Sequence, residues 1–360
     1  MSINEKRLKD LLVDMINIYS PSGKEEEIQD FLKSYLKKHK LNYIFQEVDE
    51  QRGNIIVMPD KGEADIVFVG HIDTVPAFDY ENYEANITEN EIYGLGSADM
   101  KSGCAAMVES FISYREKHKG DFPCALALVV GEEESGDGAF TLAREYPFDW
   151  AIIGEPTNLK PCFGHFGYVE ISLVTYGQKL HASLSKPDKN AVKLMMDCIN
   201  LIIEYIDKKE DILYNIRDFN SSHAGFASPD RCEAYLDLHV SSKYSLGTLT
   251  FEIEELIFEK FNEKEIKFSL QTIHHGYELS DKASLPKMLK TIYNQKNLDF
   301  SQSFFKSDSD APIFWQSGIK PIILGPGDLA VAHTCDEMVD FNEVLMAAEI
   351  YSFILEMVKG

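Results

Sequence analysis

The sequence lacks a C-x-x-C pair, lacks any apolar run long enough to cross a membrane, and carries little positive charge for its size. Its cysteines, Cys104, Cys124, Cys162, Cys198, Cys232 and Cys335, are scattered. Neither a thiolate zinc site nor a disulfide framework is indicated, and buried free thiols are expected. The longest apolar stretches, such as Cys124 to Val130, fall well short of the ~18 residues of a membrane span. The opening residues, Met1-Ser-Ile-Asn-Glu-Lys-Arg7, have no apolar core or cleavage site, so a cytoplasmic protein without a membrane partner is expected. Lys and Arg number 35 against 59 Asp and Glu, a formal net charge of −24. Such a chain repels phosphate backbones, so no nucleic-acid partner is expected. Tyr93-Gly-Leu-Gly-Ser-Ala-Asp99-Met-Lys101 lacks the third glycine of G-x-G-x-x-G and any Gly-Lys-Ser/Thr, which disfavours dinucleotide and P-loop readings.

What is present is a chain of 360 residues, 44% hydrophobic and 26% charged, the balance of a folded globular protein of more than one domain. Leu8, Leu11, Leu12, Met15 and Ile16 share one face at helical spacing. Ser20-Pro21-Ser22-Gly23 breaks that pattern, and Ser22 with Glu25 predicts a capping box for a second helix with Phe31, Leu32, Tyr35 and Leu36 in its buried stripe. Buried strands then alternate with helices: strands at 54–58, 65–70, 124–130 and 150–153, helices opening at Asp99 and at Ala139. This predicts an α/β fold, a mostly parallel sheet flanked by helices. From about residue 168 the character changes. Val169-Glu-Ile-Ser-Leu-Val alternates with period two, as do 232–240 and 266–273, with helices at 191–208 and 246–261. After 285 a helix, the apolar strand 321–324 and a helix from Phe341 return to the first style. The expectation is one domain built from 1–167 and 282–360, interrupted by an inserted α+β domain at 168–281.

The informative ionisable residues stand at strand ends. The strand 65–70 leads to His71-Ile-Asp73, 124–130 to Glu132-Glu133-Glu134, 150–154 to Glu155, and 321–324 to Asp328 and His333. In open α/β sheets the ligand crevice lies outside such C-terminal strand ends. Charges beside buried strands are costly unless paired or bound to metal, and histidines with carboxylates but no thiolate suit a divalent ion such as zinc. On extended backbone His71 and Asp73 point the same way, which lets Asp73 sit behind His71 and fix its tautomer. Asp99, alone, reads as a helix cap, and in this company as a bridging carboxylate. Among the three adjacent glutamates, one can bind metal while its neighbour accepts a proton from water.

The runs GHIDTVP (70–76), YGLGSADMKSG (93–103), GEEESGDGA (131–139), AIIGEPTNLKP (151–161), YGQKLHAS (176–183) and GPGDLAVAHTCDE (325–337) together resemble the co-catalytic zinc exopeptidase family. That family includes acetylornithine deacetylase, succinyl-diaminopimelate desuccinylase, acetyl-lysine deacetylase and aminoacylase. The resemblance implies two divalent metal ions per chain, zinc first, with cobalt or manganese as substitutes. It implies His71 and Glu155 on one ion, Glu134 and His333 on the other, and Asp99 between them. It makes Glu133 the general base, Asp73 the partner that orients His71, and His181 the stabiliser of the oxyanion. It implies that the inserted domain is a dimerisation lid, hence a homodimer.

The pattern departs at the lid and before the bridging aspartate. Phe226 stands where relatives carry Asn, His239 where Arg is common, and Phe166 where Lys or Arg is frequent. The segment Asn82-Tyr-Glu-Ala-Asn86 replaces a Trp-x-x-x-Pro-Phe run. Phe226 donates no hydrogen bond and His239 is not reliably cationic at neutral pH, so recognition of a substrate carboxylate is altered. The expected activity is hydrolysis of small N-acyl amino acids, leaning to the acetylornithine deacetylase branch. The alternatives are an aminopeptidase or dipeptidase of the same family, or a desuccinylase-like enzyme. The sequence leaves two further features open: Lys306-Ser-Asp308-Ser-Asp310 reads equally as a substrate loop or a turn, and His274-His275 as a lid edge.

Overall fold

Continuous apolar strands are stable only when both faces are covered, and the first of two units is built that way. The structure, a computed structural model, describes residues 3–77, 83–118, 121–223 and 225–359. Met1 and Ser2 of the opening segment and Asn82 of the segment 82–86 lie outside them. One unit comprises Met1–Phe163, Leu279–Phe305 and Ser309–Gly360, the other Gly164–Glu278 with Lys306–Asp308.

The sheet of the first unit contains β1 (Ile44–Glu47), β2 (Gly53–Val57), β3 (Ile66–His71), β4 (Ala125–Val129), β5 (Trp150–Ile153), the first two residues of β6 (Cys162–His165) and β7 (Lys320–Ile323). Their spatial order is β1-β2-β4-β3-β5-β7-β6. β4, β3, β5 and β7 form the parallel core, with Phe68 in register with Leu126 and Ile152. β1 and β2 add an antiparallel edge. Every residue of β2, β3, β4 and β5 is buried. The sequence reading of a mostly parallel sheet flanked by helices holds.

Helices α1 (Glu5–Ile16), α2 (Glu26–Lys38), α3 (Ser102–Lys117) and α4 (Asp137–Glu145) belong to the same unit, as does a long helix at Phe341–Lys359. α1 buries the five apolar residues expected of it. α3 is buried on all sides from Ser102 to Tyr114 and carries almost no amphipathic pattern, as a central helix must. Phe68 on β3 meets Phe111 and Tyr351 edge-on, with ring centres 5.7 and 5.5 Å away, so one ring ties the sheet to two helices.

Four local expectations are corrected. α2 begins at Glu26 without a side-chain cap, because the Ser22 hydroxyl donates instead to the Asp73 carboxylate at 2.6 Å. A hydrogen bond to a buried charge is stronger than one to a helix amide. Its buried face is Ile28, Gln29, Leu32 and Leu36, while Phe31 and Tyr35 lie half-buried against each other. Asp99 does not open α3: Asp99 and Met100 have non-helical backbone and the regular helix starts at Ser102. Of the cysteines, five are buried free thiols and Cys335 is exposed.

The second unit is a four-stranded antiparallel sheet in the order Ile212–Ser221, Arg231–Val240, Gly167–Tyr176, Ile266–His274. The alternation in Gly167–Tyr176 puts Val169, Ile171 and Leu173 into a core shared with helices Ala191–Ile206 and Leu246–Lys260. Asn190 and Ser245 cap those helices. The other face is polar, with Arg217 paired to Asp237 at 3.0 Å and to Glu170.

Candidate metal centre

Parallel strands release their chain at one end of the sheet, so the residues that follow β3, β4 and β5 collect there. His71 ends β3 and is buried. Its Nδ1 lies 3.0 Å from the Asp73 carbonyl oxygen and 3.6 Å from the Asp73 carboxylate. Its Nε2 faces three carboxylates: Asp99 at 3.2 Å, Glu132 at 3.7 Å and Glu155 at 3.7 Å. His333, held at a positive φ of 60°, turns its Nε2 to Glu133 at 3.1 Å and to Asp99 at 3.4 Å. Asp99 therefore gives Oδ1 to one histidine and Oδ2 to the other.

Among the described residues, three sets place ligand atoms within 4.8 Å of one another: His71, Asp99 and Glu155; His71, Glu132 and Glu133; Asp99, Glu133 and His333. The charges show what the site needs. Burial would drive the His71 pKa down, but Glu155 and Glu132 carry it well above its usual value. Hydrogen bonds to Asp99 and Glu133 push His333 up to about 11. Burial, then Asp99, raises Glu155 to about 8, and burial likewise raises Glu132 and Glu133. The cluster thus takes up protons to balance its carboxylates, and divalent cations do the same with displacement of those protons. The buried Glu155 Oε1 has no hydrogen-bond partner. The oxygen and nitrogen donors fit two divalent ions sharing Asp99.

The structure brings His71, Asp99, Glu133, Glu155 and His333 together. It does not bring Glu134 with them: that side chain is exposed and belongs to none of the three sets. The cause is the backbone of the turn. Asp73 accepts the amide N–H of Glu132 at 3.2 Å and of Glu133 at 3.1 Å. Beyond them the Gly131 carbonyl accepts the amides of Ser135 and Gly136, which carries Glu134 around the outside. Glu133 rather than Glu134 stands with Asp99 and His333, and Glu132 stands with it beside His71. Asp73 approaches His71 more closely through its carbonyl than through its carboxylate, whose oxygens are engaged by the turn and Ser22.

His181 lies in the second unit, exposed, with Nδ1 2.8 Å from the Ser183 hydroxyl. Phe226, at 90% exposed, packs on nothing substantial. His239 is partly buried with its Nδ1 unpartnered, and burial lowers its pKa. His274 pairs with Asp308 at 2.9 Å.

Sequence reasoning missed Glu337. This buried carboxylate accepts the amides of Gly96 at 3.0 Å, Ala98 at 2.9 Å and Asp99 at 3.0 Å, and so shapes the loop that presents Asp99. The only hint was a carboxylate four residues beyond His333.

A fold of this kind with histidines and carboxylates converging at the strand ends defines a metal-binding hydrolase. The sequence pattern of Peptidase family M20/M25/M40 matches residues 67–357, and the chain belongs to that family, whose members are hydrolytic enzymes acting on amides. It is 26% identical over 360 residues to a [LysW]-lysine/[LysW]-ornithine hydrolase of Sulfurisphaera tokodaii, covering 98% of this chain and 96% of the relative. It is 27% identical over 357 residues to an acetylornithine deacetylase of Photorhabdus laumondii, covering 92% and 90%. The fold matches a tripeptidase of Staphylococcus aureus with a TM-score of 0.84 at 20% identity, covering 99% of this chain and 100% of that one. Among the described residues no helix is long and apolar enough to cross a membrane.

Proposed function

We propose that the chain hydrolyses the amide bond of small N-acyl amino acids, with two divalent ions, zinc in the first instance, held at the cluster. The observation that carries this reading is the division of Asp99 between His71 and His333. His71 and Glu155 would hold one ion, Glu133 and His333 the other, with Asp99 shared. When bound, the ions supply Lewis acidity that acidifies water and polarises the amide carbonyl.

Glu132 is the proton carrier in this reading. It is largely buried, its pKa is raised by that burial, and it stands between His71 and Glu133. A base held near the working pH takes a proton from the attacking water and returns it to the leaving amine. This moves both glutamate roles one residue back from those implied by resemblance. Asp73 fixes the pair through their amides. His181 is the oxyanion donor, and the second unit is a lid through which two chains form a homodimer. The names of the two relatives support an acylated amino-acid substrate, and Phe226 and His239 alter how its carboxylate is held.

The test is amine release from N-acetylornithine, N-acetyl-lysine, N-succinyl-diaminopimelate and a tripeptide, with zinc or cobalt and then with chelator. Chelator-sensitive release from an acylated substrate is the expected outcome. Release from the peptide alone moves the activity to the aminopeptidase or dipeptidase branch. No release from any of them overturns the reading.

A further inference from the structure

The turn that carries Glu132 and Glu133 is gripped a second time, by a residue that no part of the chemistry above requires. Arg52 lies between β1 and β2 with 14% of its side chain exposed. Its guanidinium donates to Asp137 at 2.5 Å, to Glu25 at 3.2 Å and to Asp49 at 2.7 Å. Asp137 is the first residue of α4 and closes the acidic turn. Glu25 follows Ser22, the residue that donates to Asp73. Arg52 thus ties the segment supporting Asp73 to the far end of the turn that Asp73 holds.

The fit leaves no slack. Gly131 has φ +73°, and a Cβ there would fall 2.1 Å from Asp137 Oδ1 and 2.9 Å from Arg52 Nη1. Glu25 Oε2 and Asp137 Oδ1 are buried with no hydrogen-bond partner. The guanidinium is therefore the cation on which both carboxylates rely. A planar fork with several donors suits three carboxylates at once, where a lysine would serve as a point charge. Asn54 works beside it, accepting the Val130 amide at 3.3 Å and donating to the Gly138 carbonyl at 2.8 Å. The turn 131–137 is held at its entry by Asn54, in its middle by Asp73 and at its exit by Arg52.

We propose that Arg52 is a positioning residue: by bridging Glu25 and Asp137 it sets the turn 131–137 so that Glu132 and Glu133 face His71 and His333. The inference rests on the proposed function for its kinetic consequence and on the geometry alone for its structural one. Removal of the guanidinium leaves the fully buried Glu25 and the partly exposed Asp137 without the cation they share. The turn then relaxes, and Glu132 loses its alignment. A displacement near 1 Å in a catalytic group costs on the order of 100-fold in rate.

The experiment compares wild type, Arg52→Ala and Arg52→Lys. Amide hydrogen exchange across residues 130–138 is measured on the metal-free protein, and kcat, KM and zinc content on the loaded one. Arg52→Ala is expected to speed exchange at Glu132 and Glu133 at least ~10-fold with the sheet unchanged, and to lower kcat ~10- to 100-fold with KM within ~3-fold. Arg52→Lys, which keeps the charge and folds if the alanine variant does not, recovers part of the rate. Guanidinium at millimolar concentration restores part of the Arg52→Ala rate, because Arg52 lines an open cleft of 540 Å³ with Tyr19, Glu25 and Gln51. Unchanged exchange in a folded Arg52→Ala protein overturns the proposal, as does a rate loss fully accounted for by the unfolded fraction. Exchange needs no substrate: a wild-type chain silent on every amide overturns the proposed function and leaves the exchange comparison to decide Arg52.

Discussion

The Asp73 carboxylate receives the backbone amide of Glu133 at 3.1 Å, and with it the choice of which acidic side chain enters the cluster. The same carboxylate takes Glu132 N at 3.2 Å. Two consecutive amides on one side chain orient that stretch of backbone, and the side chains follow.

Glu132→Gln is therefore expected to lower kcat by 100- to 10,000-fold while both ions stay bound, the range of a lost general base. Glu133→Gln is expected to lose one ion. Glu134→Gln is expected to keep both ions and most of its rate. Steady-state kinetics with elemental analysis of metal per chain separates the three. A Glu134→Gln protein that loses an ion while Glu133→Gln keeps both would restore the roles implied by resemblance.

Metal removal has a consequence apart from activity. The metal-free cluster binds protons in place of cations, so reloading zinc is expected to release protons and raise Tm, by an amount that grows with free zinc. Calorimetry in two buffers of different ionisation enthalpy measures the release. Asp99→Asn, which weakens both positions together, is expected to abolish it.

Glu337 makes three hydrogen bonds to the Asp99 loop with two oxygens. Glu337→Gln replaces one of those oxygens with a donor pointed at a backbone donor. Metal affinity is expected to fall ~10- to 100-fold, as for other residues that orient a ligand. Competition with a chromogenic chelator checks this.

Away from the site, Glu109 is fully buried and its carboxylate is met by Arg7 at 2.6 Å, the Asn4 amide at 3.1 Å and the Ser113 hydroxyl at 2.7 Å. Arg7→Met strands that charge and is expected to cost about 3 kcal/mol, read from urea unfolding. Replacing Glu109 by Gln in the same protein is expected to recover part of it.

His165 gives a pH dependence with a definite sign. Burial lowers its pKa from 6.5 to about 4, so the unfolded chain binds a proton in that window and the folded one does not. Stability from this group is full above pH ~6.5, declines as the pH falls towards 4, and is then lost, a change of up to about 3 kcal/mol. The urea midpoint of His165→Gln is expected to decline less over the same range.

The parallel sheet was legible because buried strands announce themselves as unbroken apolar runs, and His71, Asp99, Glu155 and His333 because each follows such a run or stands alone in its loop. The glutamates were not. Three identical residues in a row carry no mark of which will face inward; that is decided by turn torsions and by a carboxylate some sixty residues earlier. Ser22 misled for the same reason, since its spacing to Glu25 fits a capping box and only the fold reveals a buried Asp73 as the better acceptor. The strand Ile212–Ser221 escaped notice because it is an edge strand, exposed along most of its length, and so lacks alternation. Arg52 and Glu337 act through backbone and carboxylates distant in sequence, which no local pattern records.

The order in which the cluster's residues occur along the chain carries a further consequence. His71, Asp99, Glu133 and Glu155 all precede the second unit, whereas His333 follows it. A chain emerging from the ribosome presents four of the five groups, completes an entire separate unit, and only then delivers the fifth together with β7. Domains fold largely as units in the order of synthesis. The first unit needs β7 beside β5 and the helix Phe341–Lys359 against Phe68, so the whole cluster, the half around His71 and Glu155 included, is completed only after the second unit has been synthesised.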